Sequence, residues 1–304
     1  MGRFAAHLAA FGVLPLAYMG TVTLVDPFEF FGLRYSIVDS TWRAGVARAI
    51  NPCLLKLGGF RRQPAAHVLL GDSRMASLPV LAVSARVGAP VANLAYGGAS
   101  LQEVLDTFWF ATRYAKLESV TIGLNLDSYN DYNIMRRTEA MQSMLDNPAL
   151  YFTNRNVLSA TWYALKSRAT HAAPVLDRVN DNRDEFWAYT LGEQRLTFSR
   201  WRAPETYRGE LKRMADWCRS NHVRLTFVRF PLHQDVEDIV DMAGLAQARS
   251  AMARELAALG TLVDFEGRRD VQDDRTKFAD PIHFNAATGA GLIAEVWPGP
   301  VARP

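Results

Sequence analysis

Residues 67–78 read HVLLGDSRMASL, an apolar run that ends abruptly in Gly71, Asp72 and Ser73. The run predicts a short buried strand, and the residues after it predict a turn into a helix. One interpretation of Asp72 and Ser73 is plain helix capping, since both residue types cap helix N-termini well. The other is a nucleophilic serine on a strand-to-helix turn. This stretch alone leaves both interpretations open.

The composition is that of a folded protein. The chain has 304 residues, which suits one large domain with additions. Hydrophobic residues make up 49% and charged residues 21%, so the chain can build a core and is not of the disordered class. A net charge of +3 without a dense Lys/Arg block argues against a nucleic-acid partner. Cys53 and Cys218 lack C-x-x-C spacing, so we expect no metal and no cofactor, while a disulfide between them stays open.

The N-terminal segment has the features of a membrane anchor. Phe4–Val25 is 22 residues long and contains no Asp, Glu, Lys or Arg. A helix of this length crosses the roughly 30 Å hydrocarbon core of a bilayer. Arg3 precedes it while Asp26 and Glu29 follow, which favours an exported body. We expect residues 1–25 to span the inner (cytoplasmic) membrane once, with the body facing the periplasm or the extracellular side; a cleaved signal peptide is the alternative.

The remaining chain alternates apolar strands with amphipathic helices. After a juxtamembrane helical segment at 26–65, strands are predicted at 66–70, 89–96, 119–126, 222–230 and 261–265. Helices are predicted near 40–50, 78–86, 101–115, 204–220, 247–260 and 285–297. This alternation predicts a three-layer α/β/α sandwich around a parallel sheet over residues 66–304. The stretch from about 130 to 203 breaks the alternation and predicts a mostly helical insertion.

Polar residues follow four of the five predicted strands. Ser73 follows the first, Gly98 the second, Asn125 ends the third, and the pair Asp280 and His283 follows the fifth. Ligands of parallel α/β sheets bind at the carboxyl ends of the strands. We therefore expect these residues to converge at one edge of the sheet.

The chemistry of these residues suits acyl transfer. A serine becomes nucleophilic when a base removes its proton, and an imidazole suits that task near neutral pH. His283 is therefore the predicted base for Ser73, and Asp280 the carboxylate that orients its ring. The backbone N–H groups of Ser73 and Gly98 and the side-chain amide of Asn125 are predicted oxyanion donors.

Further residues are candidates for substrate contact. Arg74 and His233 lie at the same predicted edge of the sheet and are candidate substrate-binding residues. For Trp162, Trp187 and Trp201 of the insertion, stacking on sugars and packing in a core both stay open.

Taken together, these motifs resemble the blocks of the SGNH hydrolase superfamily, also called GDSL-like esterases. The matching stretches are Gly71-Asp72-Ser73, Gly98, Gly123-Leu124-Asn125 and Asp280-Pro281-Ile282-His283. The resemblance implies a flavodoxin-like fold and catalysis through an acyl-serine. Two positions depart from the pattern, since Arg74 replaces the usual leucine and Leu126 stands where an aspartate often follows the asparagine.

The combination of anchor and motifs is similar to envelope polysaccharide O-acetylation proteins. It implies a membrane-anchored serine esterase or O-acyltransferase acting on a glycan or acyl ester of the cell envelope, with a membrane-bound acyltransferase as partner. A non-catalytic glycan-binding or assembly subunit with the same fold is the main alternative. A soluble lipase-type esterase is a further one, which the anchor disfavours.

Overall fold

The computed structural model describes residues 2–33, 35–171 and 182–299, with side chains from residue 12 onward. These residues form two compact units, the first drawn from Met1–Gln63 and Thr138–Val179 and the second from Pro64–Arg137 and Asn180–Pro304. Of the three chain boundaries between the units, those at 137/138 and 179/180 fall inside the predicted insertion at 130–203, and the third is at 63/64. Residues 172–181 of that insertion, and residues 300–304 of the predicted catalytic domain, lie outside the described residues.

The elements follow one another along the chain as helices and short strands. The helices are α1 (Gly2–Val25), α2 (Ser40–Ile50), α3 (Pro52–Arg62), α4 (Ser73–Ala76), α5 (Val80–Val87), α6 (Leu101–Tyr114), α7 (Arg137–Asp146), α8 (Pro148–Phe152), α9 (Arg155–Thr170), α10 (Arg183–Ser199), α11 (Glu205–Ser220), α12 (Gln234–Met242), α13 (Ala246–Leu259), α14 (Arg269–Gln272) and α15 (Ala286–Val296). The strands are β1 (His67–Gly71), β2 (Val91–Asn93), β3 (Ser119–Gly123), β4 (Arg224–Arg229), β5 (Thr261–Asp264), β6 (Phe278–Asp280) and β7 (His283–Phe284).

A parallel sheet forms the centre of the second unit. Among the described residues its five strands lie in the order β2-β1-β3-β4-β5, all parallel, so the predicted central parallel sheet is confirmed. This is the flavodoxin-like order, in which the chain moves outward from β1 to β2 and then returns past β1 to β3. Because parallel crossovers are right-handed, this reversal puts the connecting helices on opposite faces. It also opens a crevice between the carboxyl ends of β1 and β3.

Two glycines allow β1 and β3 to approach closely at that crevice. Gly71, the last residue of β1, pairs in register with Gly123, the last residue of β3. Gly71 has a φ of +136°, and a Cβ placed on it would lie 2.6 Å from the carbonyl oxygen of Gly123. A Cβ on Gly123 would lie 2.7 Å from the ring of Phe230. Only glycine fits at these two positions, because a Cβ that close to its neighbouring atoms would overlap them.

The hydrophobic core of the second unit reaches the same edge of the sheet. Leu69, Met75, Val228 and Phe230 belong to one buried cluster together with Phe284 of β7. The rings of Phe230 and Phe284 lie 5.4 Å apart in a tilted arrangement. The short antiparallel pair of β6 and β7 is therefore packed against the sheet, which fixes the backbone on which His283 stands.

The first unit is helical in its described residues, and a buried carboxylate organises its connection after α1. Asp26 is fully buried, and its side chain accepts the N–H groups of Phe31 and Gly32 at 3.2 and 3.1 Å. The carbonyl of Asp26 accepts a hydrogen bond from Arg43 at 3.1 Å. These contacts fold the stretch between α1 and α2 back on itself.

Helix α1 covers the predicted anchor segment Phe4–Val25. Within the part of the chain that the structure describes, no helix combines the length and the apolar character needed to cross a bilayer. The membrane anchor stays a prediction.

Both cysteines are buried and neither forms a disulfide; Cys53 lies in the first unit and Cys218 in the second. Burial raises the pKa of Cys218 to about 12, so this thiol stays protonated at neutral pH. The disulfide that the sequence left open is not formed.

The glycine contact between β1 and β3 can be tested by Gly71→Ala. We expect the free energy of unfolding to fall by about 2–6 kcal/mol, since a strained φ and an overpacked contact add up. Chemical denaturation measures this change. The matched control is Gly209→Ala in α11, where a Cβ meets open space and should raise stability by about 0.5–1 kcal/mol. A Gly71→Ala protein as stable as the wild type would contradict the assignment.

Candidate active site

Ser73 is the first residue of α4 and stands directly after β1. The unusual φ of Gly71 turns the chain, and Asp72 caps the helix by accepting the N–H of Arg74 at 3.0 Å. Asp72 is thus a helix cap, as the plain interpretation of this stretch proposed. Because Asp72 caps helix α4, the partly exposed side chain of Ser73 is not needed for capping and can contact another partner.

That partner is His283. The Oγ of Ser73 and the Nε2 of His283 lie 2.6 Å apart, and the Nδ1 of His283 lies 2.7 Å from Oδ2 of Asp280. When Nδ1 donates its proton to the carboxylate, Nε2 is left to accept the hydroxyl proton of the serine. The structure therefore brings together the three residues predicted to be catalytic, in the order that activates a serine.

The carboxylate of Asp280 also holds the turn that carries the histidine. Its Oδ1 accepts the backbone N–H groups of Ile282 and His283 at 2.9 and 3.0 Å. Burial alone raises the pKa of Asp280, but the hydrogen bond and charge of His283 and these two amides outweigh it, so the pKa lies below its ordinary value. Asp280 stays ionised and can stabilise an imidazolium.

Two of the three predicted oxyanion donors have suitable backbone positions. As the first residue of α4, Ser73 has an N–H that finds no acceptor within its own helix. Gly98 is exposed after β2 with a φ of +62°, a conformation that other residues rarely adopt. Both are therefore retained as candidate donors.

The structure gives the third predicted donor, Asn125, a different role. Its side chain is fully buried, with Nδ2 donating to the carbonyl of Phe230 at 2.7 Å and to Glu266 at 3.1 Å. Its Oδ1 accepts the N–H of Phe230 at 3.1 Å. Both amide hydrogens are used, so none remains for an oxyanion. Asn125 joins the end of β3 to the chain after β4 and is not assigned to the oxyanion hole.

Arg74, predicted to contact substrate, is instead buried in an ion-pair network. It is 2% exposed, its Nε lies 3.1 and 3.2 Å from the carboxylate of Asp72, and its Nη2 also contacts Asp72. The same Nη2 lies 2.7 and 2.9 Å from the carboxylate of Asp127. Burial lowers the pKa of Arg74, but the negative charges of Asp127 and Asp72 raise this pKa by a larger amount. The guanidinium therefore stays charged. With both carboxylates as partners, it is not available to a substrate anion.

This network explains both departures from the family pattern. Arg74 takes the place of a leucine, and the carboxylate expected at Leu126 comes from the next residue, Asp127, which binds Arg74. Ser128 adds a hydrogen bond to Asp72 at 3.1 Å. The sequence analysis missed Asp127 and Ser128. Two features of the sequence could have indicated them. Asp127 and Ser128 directly follow the predicted third strand, and Arg74 follows Ser73 at a position where a leucine is usual.

His233, the second predicted substrate contact, supports the catalytic loop from behind. It caps α12, with Nδ1 accepting the N–H of Asp235 at 3.1 Å, and its own backbone N–H donates to Pro281 at 2.9 Å. His233 is 8% exposed. Its ring packs edge-on against that of Trp187, with the ring centroids 4.8 Å apart. Burial lowers the pKa of His233. A neutral, buried capping residue is not a substrate contact.

The three tryptophans have different surroundings. Trp187 is buried in the core of the second unit, and its Nε1 donates to Asp235 at 2.8 Å. The Nε1 of Trp201 donates to the carbonyls of Leu126 and Tyr129 at 3.0 and 2.9 Å. Trp162 of α9 is 65% exposed. Packing is therefore the role of Trp187, and sugar stacking stays untested for the others.

Comparisons with known proteins give weak likenesses. No protein-family model matches the chain, and no curated protein matches it. Among solved structures, a protein from Streptococcus pneumoniae named for platelet activating factor has a TM-score of 0.42 at 9% identity, covering 83% of this chain and 94% of that chain. A lipolytic G-D-S-L family protein from Desulfitobacterium hafniense has a TM-score of 0.38 at 12% identity, covering 76% of this chain and 96% of its own.

A GDSL-like lipase from Bacteroides thetaiotaomicron has a TM-score of 0.37 at 11% identity, covering 82% of this chain and 96% of that chain. Two of these names match the family that the sequence motifs resemble. At TM-scores below 0.5 and such low identities, the likeness carries no conclusion about activity. The functional conclusion rests on the residues of this chain and their geometry.

The charge of Asp72 can be tested by Asp72→Asn, which keeps a good helix cap and removes the ion pair. Burial raises the pKa of Asp72, but Arg74 and Ser128 lower it by more, so its folded-state pKa is depressed. Its stabilisation is therefore present above the unfolded pKa of about 3.9 and is lost as pH falls through the folded pKa. We expect the variant to lose about 1–3 kcal/mol of unfolding free energy at neutral pH, because Arg74 keeps Asp127.

Denaturant unfolding of both proteins from neutral pH to about pH 3 measures the effect. The difference between them should shrink below about pH 4. Asp238→Asn, an exposed aspartate on α12, is the matched control and should change little at any pH. A gap that stays constant or widens on acidification would contradict the assigned charge of Asp72.

Proposed function

We propose that this chain is a serine esterase or O-acyltransferase of the SGNH type, working through an acyl–Ser73 intermediate. The observation that carries the proposal is the continuous contact from Ser73 through His283 to Asp280, at 2.6 and 2.7 Å. Helix capping alone accounts for Asp72 but not for this alignment of three side chains drawn from separate elements.

The residues support a two-step reaction. In the first step His283 takes the proton of the Ser73 hydroxyl while Oγ attacks the carbonyl carbon of an ester. The N–H groups of Ser73 and Gly98 donate to the oxyanion, and His283 returns the proton to the departing alcohol. In the second step water or an acceptor hydroxyl loses its proton to His283 and attacks the acyl–Ser73 carbonyl, and Oγ leaves and takes that proton from His283. Water yields hydrolysis, and an acceptor hydroxyl yields transfer.

The substrate class that we propose is an O-acylated glycan of the cell envelope. The support is contextual, namely the N-terminal apolar segment and the similarity of the motif set to envelope polysaccharide O-acetylation proteins. In the transferase form of the proposal, a membrane-bound acyltransferase supplies the acyl group to Ser73.

The catalytic role of Ser73 can be tested with a fluorophosphonate probe on the full-length protein. We expect covalent labelling at Ser73, because the probe traps a hydroxyl that a neighbouring histidine activates. Ser73→Ala should abolish labelling and the cleavage of small acetyl esters. Ser77→Ala is the matched control, since Ser77 lies just after the same short helix, bonded to the carbonyl of Arg74, and should leave both signals intact. Peptide mapping identifies the labelled residue.

The same assay addresses Asp280. Asp280→Asn presents an amide to Nδ1 and favours the wrong tautomer of His283, so ester cleavage should fall by about 10⁴-fold. A folded wild-type protein that neither takes the probe nor cleaves any acyl ester would instead favour a non-catalytic glycan-binding or assembly subunit.

We further propose that residues 1–25 anchor the chain in the inner membrane with Asp26 onward outside the cytoplasm. The support is the uncharged run Phe4–Val25, with Arg3 before it and Asp26 and Glu29 after it. Alkaline phosphatase fused after Pro304 should be active, and a fluorescent protein that folds only in the cytoplasm should stay dark there.

N-terminal sequencing of the membrane fraction separates anchor from signal peptide. A mature chain that begins near Asp26 and washes off with salt would refute the anchor and leave the active-site chemistry untouched. A C-terminus in the cytoplasm would remove envelope glycans as substrates.

A further inference from the structure

The loop after β3 lines a cavity of about 360 Å³ that is open to solvent, which we call the β3-loop cavity. It lies entirely within the second unit. Its lining includes Asp127, Asn130, Tyr132, Asn133, Ile134 and Thr197. Ligand pockets range from about 300 to 1,000 Å³, so this cavity is at the small end.

The loop that forms the cavity is attached to both turns of the active site. At its start, Asp127 binds Arg74, the residue directly after Ser73, at 2.7 Å. At its end, the carbonyl of Met135 accepts the hydroxyl of Ser100, two residues after Gly98, at 2.7 Å. The loop that lines the β3-loop cavity is therefore bonded to residues next to Ser73 and Gly98, although neither of these two residues lines the cavity.

The lining offers hydrogen bonds without an uncompensated charge. Asn130 and Asn133 contribute amides, Thr197 contributes a hydroxyl, and the carboxylate of Asp127 is paired with Arg74. Within the described residues no lysine or arginine lines the cavity. Arg200 lies over the ring of Tyr132 and already donates to its hydroxyl at 2.5 Å, so the lining itself favours a neutral polar ligand.

Asn130 provides a buried donor at this cavity. The residue is 1% exposed, and its Oδ1 accepts the N–H groups of Tyr132 and Arg202 at 2.9 and 3.1 Å. Its Nδ2 meets no acceptor in the part of the chain that the structure describes. Buried amide groups in proteins are nearly always hydrogen-bonded, and a ligand hydroxyl would supply the acceptor.

Apolar surface lies next to these polar groups. Tyr132 is 39% exposed and Ile134 is 77% exposed. A pyranose ring combines an apolar C–H face with peripheral hydroxyls, and it matches an aromatic face beside amides. A long acyl chain would need a mainly apolar lining instead.

We infer that the β3-loop cavity binds the neutral sugar residue whose hydroxyl carries or receives the acyl group. This inference rests on the proposed acyl–Ser73 chemistry and names the alcohol side of that reaction. In the forward direction the sugar C–O–acyl ester is cleaved at the acyl–oxygen bond, so the sugar leaves with its oxygen and a proton from His283.

The experiment compares two acetyl esters that differ in the alcohol, peracetylated glucose and p-nitrophenyl acetate, on the full-length protein. The variants are Asn130→Asp, which keeps the Oδ1 acceptor and removes the donor, and Tyr132→Ala, which removes the aromatic face. We expect each to lower the ratio of kcat/KM for the sugar ester to that for p-nitrophenyl acetate at least tenfold, mainly through KM. Tyr189→Ala on α10, 63% exposed and outside the cavity lining, is the matched control and should leave the ratio unchanged.

Each other outcome is decisive. An equal loss on both esters would mean that the loop acts only on folding, and an unchanged ratio would mean that the cavity does not contact the sugar. A wild-type protein active on p-nitrophenyl acetate but not on the acetylated sugar would overturn the inference and leave the esterase proposal standing. A wild-type protein inactive on both esters and unlabelled at Ser73 would overturn the proposed function and, with it, this inference.

Discussion

The candidate active site depends on the contact between the carboxyl ends of β1 and β3. Gly71 and Gly123 stand in register there, and a Cβ on Gly71 would lie only 2.6 Å from the carbonyl oxygen of Gly123. Because the two strand ends meet so closely, the turn after β1 and the loop after β3 begin side by side. Arg74 can then reach Asp127, although 53 residues separate the two along the chain. The position of Ser73 thus follows from a backbone contact rather than from its own side chain.

Electrostatics then decides which group near the nucleophile can take a proton. Among the described residues, the largely buried carboxylates of Asp72, Asp127 and Asp280 all lie in contact with Arg74 or His283. Burying a carboxylate is unfavourable unless a partner compensates it. The pKa values of Asp72 and Asp280 lie below their ordinary values despite burial, so both stay charged. The ring nitrogen of His283 that faces Ser73 is then the acceptor that the geometry leaves for the hydroxyl proton.

The five strands of the sheet could be predicted from the sequence, because a strand buried on both faces leaves a continuous apolar run. The predicted second and third strands ended at Tyr96 and Leu126, three residues past the observed ends at Asn93 and Gly123. The partner that a side chain beyond the strand end contacts could not be predicted. An amide at the position of Asn125 fits an open crevice as well as it fits the backbone of a neighbouring strand, and Phe230 is 105 residues away. The partners of Arg74 and His233 could not be predicted for the same reason, since those partners lie on other elements. The β6–β7 pair was missed because β7 has two residues, too few for a periodic pattern.

The pairing of Arg74 with Asp127 also bears on how this active site can change over time. Replacing the arginine by a leucine would leave two neighbouring carboxylates without compensation, which is strongly destabilising. Removing the carboxylates first would instead leave a buried guanidinium without a compensating negative charge. The effects of such substitutions are not additive, because the residues share one network. The positions are therefore epistatic, and a path that replaces this ion-pair network by apolar residues passes through poorly folded intermediates unless several residues change together.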